Sequence, residues 1–134
     1  MKETISAFSA FIVGAISYFV GGFDMLLSVF MTIIVIDTLT GILKAKNAGQ
    51  YESSLFRKGF FRKTAYLLAV VLTVQVDLLV GSNGVWRDII LTFFIVNESI
   101  SVIENLGDLG VKFPSGFQNA IKSLSNKNTE DKID

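Results

Sequence analysis

From Thr4 to Asn105 the chain lays down four apolar runs in succession, and none of them contains a proline; the single proline of the sequence is Pro114. Backbone amides and carbonyls inside a bilayer have no water to bond. A lipid-facing run of this kind must therefore close its hydrogen bonds within itself, as a helix. About 20 apolar residues cross the hydrocarbon core, with about 17 as the short limit. The runs are "TISAFSAFIVGAISYFV" at 4–20, "DMLLSVFMTIIVIDTLTGILKA" at 24–45, "TAYLLAVVLTVQVDLLV" at 64–80, and a fourth at 85–106 that opens "VWRDIILTFFIV". Gly21-Gly22 and the turn "GSNG" at 81–84 punctuate them. Composition agrees, with 18% charged residues where a soluble domain carries about a quarter.

These observations predict an all-α integral membrane protein with four transmembrane helices in a bundle over residues 1–108. A basic loop at 46–63 separates the second from the third. The segment 109–134 carries "SGFQNAIKSLSN", in which Phe117, Ile121 and Leu124 form one apolar stripe of a short amphipathic helix; its end, "NKNTEDKID", reads as a disordered tail. Three spans remain an alternative, with residues 4–20 lying on the membrane surface. A secretory leader fits poorly, because Lys2 is offset by Glu3 and no small-x-small cleavage site follows. Ser6, Ala10 and Gly14 recur every four residues, a spacing that permits close helix contact.

Orientation follows from where the cations fall. Lys44, Lys46, Arg57, Lys58, Arg62 and Lys63 gather between the second and third runs, and Lys112, Lys122, Lys127 and Lys132 follow the fourth. With four spans, every basic residue except Arg87 lies on one side, which the positive-inside rule makes the cytoplasm, with both termini in. Within the connector, "YESSLFRKGFFRK" reads either as a short interfacial helix or as a plain charged loop. Lys44, Arg57, Lys58, Arg62 and Lys63 are the membrane-interface cations of this side.

The chain contains no Cys and no His. Disulfides, thiol nucleophiles, imidazole acid–base chemistry and the usual zinc ligand sets are thereby excluded. A net charge of zero gives no electrostatic case for nucleic acid, and no calcium-loop motif is present.

Several polar residues interrupt the apolar runs. Asp37 lies seven residues, roughly 10 Å, before Lys44, and Glu98 lies six before Glu104, at a similar depth. Asp77 lies toward the opposite face. Asn97, Ser101, Glu104 and Asp108 share one face of the fourth helix, with Glu98 and Asn105 on the adjacent strip. A carboxylate facing lipid costs on the order of 3 kcal/mol, so such groups should face protein or water. They fit a static bundle with bonds among Thr38, Thr40, Gln75 and Asn105, a water-lined pore or oligomer rim, or a proton or cation relay. Periodicity does not separate these. Paired carboxylates without His or a metal motif make a poor catalytic site.

"NESISVIENLGDLGVKFP" closely resembles the signature of the phage lysis and toxin-secretion holin family, which includes holin-like proteins encoded beside large clostridial toxins. Asn97, Glu98, Ser101, Glu104, Asn105, Gly107, Gly110 and Pro114 carry the resemblance. Lys112 stands where relatives often have a second proline. "DTLTGILKA" is similar to the family in Asp37, Thr40, Gly41 and Lys44, and "RKGFFRK" leads into a third apolar helix as it does there. The resemblance implies a protein of the bacterial cytoplasmic membrane that is not an enzyme and needs no cofactor. Such proteins form homo-oligomeric lesions that release a cytoplasmic muralytic enzyme or a toxin, with lipid as surroundings and no required direct contact with the cargo.

Polarity, which the family signature does not interpret, nominates Asp37, Thr40, Gly41, Asn97, Glu98, Ser101, Glu104 and Asn105 as oligomerisation or pore-facing residues. Glu98 and Glu104 would face water and Asp37 would partner them from the second helix. The rival function is a small proton-coupled multidrug-type transporter, against which stands a first run with no acid in its middle. A membrane scaffold that recruits a partner through "YESSLFRKGFFRK" is the third reading.

Overall fold

The computed structural model of the chain describes residues 1–50 and 52–130. Five helices follow one another: α1 (Lys2–Val20), α2 (Met25–Asn47), α3 (Ser53–Val80), α4 (Val85–Asp108) and α5 (Ser115–Glu130). The described residues hold no strand, and α1 to α4 are long and apolar enough to cross a membrane. The fold is all-α with four such helices and a shorter fifth, as the apolar runs predict.

Helix ends sit where the sequence supplies the right chemistry. Asp24 precedes α2 and its carboxylate accepts the Leu27 N–H at 2.9 Å, satisfying one of the amides that a first helical turn leaves without a partner. Gly21 ends α1 with φ 78°, a left-handed conformation that a side chain would oppose. Space forbids one as well, since a Cβ on Gly21 would lie 2.8 Å from both Cδ and Nε of Arg87.

Two boundaries differ from the sequence expectation. α3 begins at Ser53, so the stretch read as either a short interfacial helix or a charged loop is helix, and it continues unbroken into the third apolar run expected to start at 64. Its 28 residues measure about 42 Å, longer than the bilayer core. Leu, Phe, Arg and Lys are acceptable helix formers, and the stretch has no proline to stop propagation from the apolar part. Likewise α5 continues through Glu130, so the tail expected from Asn126 is helical over its first five residues; residues 131–134 of that expected tail lie outside the described residues.

α4 is the central element. It packs on both α2 and α3, which touch each other only sparingly, while α1 lies along α3 and α5 against α4. The core midway along the bundle is apolar: Leu27 and Phe30 from α2, Val70 from α3, and Leu91 and Phe94 from α4. Phe94 stacks between Tyr66, at a centroid distance of 4.2 Å, and Phe30, at 6.0 Å. α1 contributes only Val20 to the buried set; Phe8, Phe11 and Val13 are exposed, as suits a helix bathed in lipid. At the other end Phe113 stacks on Phe117 at 5.4 Å, and Gln118 Nε2 donates to the Phe113 carbonyl at 3.0 Å, folding α5 back on α4.

Candidate functional site

Above and below the apolar core the bundle carries two polar layers. The inner one lies at the end marked by Lys44. Asp37 of α2 and Glu98 of α4 are 5% and 2% exposed, and Lys63 of α3 stands between them. Its ammonium donates to Asp37 Oδ2 at 2.6 Å, Glu98 Oε2 at 3.0 Å and the Ile34 carbonyl at 3.4 Å. Three acceptors match the three N–H bonds of an ammonium. Asn105 then extends the layer, its Nδ2 donating to Asp37 Oδ1 and Thr40 Oγ1, both at 3.2 Å. Gly41 faces this layer from α2, and a Cβ there would meet Asn105 Nδ2 at an ordinary contact distance of 3.7 Å. Arg62 Nη2 lies 3.8 Å from Glu98 Oε1, a looser contact from a half-exposed side chain.

The depth matching of Asp37 and Glu98 read from the sequence is what the structure shows, since one side chain bridges both. Lys63 has a position that its neighbours in sequence do not share. Grouped by sequence with the interfacial cations, its side chain is only 13% exposed, because α3 is helical through this region and turns position 63 toward α2 and α4. Arg57, Lys58 and Arg62 are exposed, and Lys44 pairs with Asp108 at 2.6 Å in the open. On α4 the two polar strips part company. Glu98 and Asn105 face inward, Asn97 and Ser101 are half-buried, and Glu104 is exposed. Gln75 is exposed too, and the Thr38 hydroxyl donates back to Ile34 of its own helix at 2.8 Å.

Sequence reasoning missed the outer layer. Arg87, with Asp88 beside it, looks like a neutral pair at a helix edge, yet it is 4% exposed. Its Nε donates to the Val20 carbonyl at 2.6 Å, Nη1 to Asp24 Oδ2 at 2.7 Å and Asp88 Oδ1 at 3.1 Å, and Nη2 to the Gly22 carbonyl at 3.0 Å and Asp24 Oδ1 at 3.1 Å. All five guanidinium N–H bonds are used, two of them in the forked contact that arginine makes with a carboxylate. Asp77 completes the layer from α3. It accepts the backbone N–H of Trp86 at 3.0 Å and of Arg87 at 2.9 Å, and the Ser82 hydroxyl, so a residue of one helix caps the next across the "GSNG" turn. The available signal was Asp24 and Arg87 both standing beside glycine-rich turns, since a turn without side chains invites a long side chain to bond its carbonyls.

Asp24, just before α2, has its carboxyl held below the ordinary value of 3.8, chiefly by the hydrogen bonds from Arg87. The layers lie 13 residues apart on α2, Asp24 to Asp37, or about 20 Å. Among the described residues no group of three or more His, Cys, Asp or Glu is placed to hold a metal.

The chain matches the bacteriophage holin family over residues 14–126. An uncharacterized protein of Listeria monocytogenes is 35% identical over 130 residues, covering 96% of this chain and 93% of that protein. Another from Clostridium perfringens is 36% identical over 110 residues, 81% of each. A probable holin of Bacillus phage phi105 is 27% identical over 128 residues, 96% of this chain and 89% of the phage protein. No solved structure matches. Nothing among these relatives supports the proton-coupled transporter. With four apolar helices and a family match over most of its length, the chain belongs to the bacteriophage holin family of multi-pass, pore-forming membrane proteins.

Proposed function

We propose that this protein assembles with copies of itself in the bacterial cytoplasmic membrane into lesions through which a cytoplasmic muralytic enzyme, or a toxin, leaves the cell. Both termini and the basic start of α3 face the cytoplasm, since cations concentrate at that end of the bundle. The carrying observation is the inner layer, in which Asp37, Lys63 and Glu98 are buried against one another inside a single chain. Mutual pairing in a dry interior returns only part of what the charges lose by leaving water. A rearrangement that opens this layer toward a water-filled lumen rehydrates all three groups. The closed bundle is then the form of the dispersed subunit, and the opened layer, with Thr40, Ser101 and Asn105, lines part of the assembly. Glu104, already exposed, and half-buried Asn97 extend the same polar lining.

The test is induction in a bacterial host that also carries a leaderless cytoplasmic muralytic enzyme, with culture turbidity and external enzyme activity followed together. Abrupt lysis that needs both proteins and comes after a reproducible delay is the expected result, and Glu98→Gln should displace the delay. Continued growth with well-inserted protein, or an unchanged delay in the variant, counts against the reading.

A further inference from the structure

Because α2 and α3 both pack on α4 but hardly on each other, a groove of about 440 Å³ runs between them at the inner end of the bundle. Its walls are apolar, with Ile34 and Ile42 on one side and Phe56, Phe60 and Leu67 on the other. Its floor is polar, formed by Asp37, Lys63, Ser101 and Asn105, and Glu52 lines its cytoplasmic end. From Leu67 to Leu55 it follows 12 residues of α3, about 18 Å. Half of a hydrocarbon core of about 30 Å is about 15 Å, so the groove has the length of one leaflet and ends among headgroups. Arg62 stands at its edge, 55% exposed and 3.8 Å from its nearest carboxylate. Lys58, four residues earlier, shares that flank of the helix and has no ion pair among the described residues.

We infer that this groove is a binding site for one anionic phospholipid of the inner leaflet, its acyl chain lying between α2 and α3 and its phosphate held by Arg62 and Lys58. Apolar walls for an acyl chain, a polar strip along the floor, an Arg62 held only loosely by Glu98 at the edge and, one turn nearer the cytoplasmic end, a Lys58 without an ion pair among the described residues supply the groups that such a lipid contacts. Arg62 is the point of coupling, because a phosphate that takes its guanidinium removes it from Glu98 and leaves Lys63 alone to balance two carboxylates. The inference does not depend on lesion formation and extends to a chain that never opens.

The chain has no cysteine, so Phe60→Cys carries one fluorophore on the groove wall without disturbing Arg62 or Lys58. The labelled protein is reconstituted in vesicles of phosphatidylcholine containing brominated phosphatidylglycerol or brominated phosphatidylcholine as the quencher. Expected is a preference for the anionic quencher of about fivefold or more, the scale of one basic side chain at an anionic surface. The preference should vanish in Lys58→Gln/Arg62→Gln. It should vanish also in Gly59→Leu, which keeps every charge and fills the groove at a position with no atom within 4 Å. Equal quenching by both lipids overturns the inference. So does a preference that survives Gly59→Leu, which would be a diffuse surface charge effect, and so does a label that neither lipid quenches. Insertion and helicity of each variant, checked by circular dichroism in the same vesicles, separate a lost site from a lost fold.

Discussion

Replacing Lys63 with methionine strips the ammonium from between two carboxylates that have little water to turn to. Removing one partner of a buried ion pair costs about 3–5 kcal/mol, whereas replacing the whole set by neutral groups is often neutral or better. Lys63→Met should therefore destabilise the folded chain by about that amount, and Asp37→Asn/Lys63→Met/Glu98→Gln should recover most of the loss. Equilibrium unfolding in mixed micelles measures both, and an equal loss in single and triple variants would mean that the side chains matter by shape alone. Asp24 gives a pH prediction with a definite sign. Its carboxyl is more acidic in the folded chain than its ordinary value of 3.8, so the unfolded chain binds the proton more readily. The stabilisation from its pairing with Arg87 is fully present above 3.8 and is lost as pH falls through the lower folded value. Asp24→Asn should flatten that acid limb while leaving the neutral-pH behaviour of the inner layer unchanged, as acid titration of helix content will show.

At the scale of elements, α3 holds the clearest difference between what a sequence reader sees and what the chain does. Hydropathy finds residues 64–80 because lipid enforces apolar composition there, and it ignores residues 53–63 because no such pressure acts on them. Helix formation, though, is propagated along the backbone and does not stop where hydropathy falls. That continuity carries Lys63 to the level of Asp37 and Glu98. Counting residues from each helix end sufficed to place the two acids at one depth, whereas finding their cation required knowing that the connector is helical and in which rotation. Arg87 was hidden for a related reason, since its partners are turn carbonyls and a cap residue on other elements, which leave no periodic trace. Gly59→Pro tests the continuity directly. In a loop it would be tolerated, but in the interior of α3 it should cost about 3 kcal/mol or more while residues 64–80 still insert, as unfolding in micelles and membrane fractionation will report.

For the whole molecule, the two polar layers pin an apolar bundle at both ends, and the sides to which those ends belong can be labelled. With no native cysteine, Val85→Cys, on the exposed outer edge of α4, should react with a membrane-impermeant maleimide added to intact spheroplasts. Asn119→Cys, on exposed α5, should react only after permeabilisation; the reverse pattern would invert the proposed orientation, and reaction at both without permeabilisation would mean a mixed insertion. The outer layer has one more property that follows from its address in the chain. Trp86 is the only tryptophan, its backbone N–H is held by Asp77 at 3.0 Å, and it adjoins the arginine that ties α1 to the rest. Its indole is about half exposed, so its emission colour and its quenching by aqueous iodide will respond when that end of the bundle comes apart, with no label attached. Recorded alongside dye leakage from the same vesicles, the intrinsic fluorescence becomes a clock that says whether the outer fastening gives way before the membrane is breached or only afterwards.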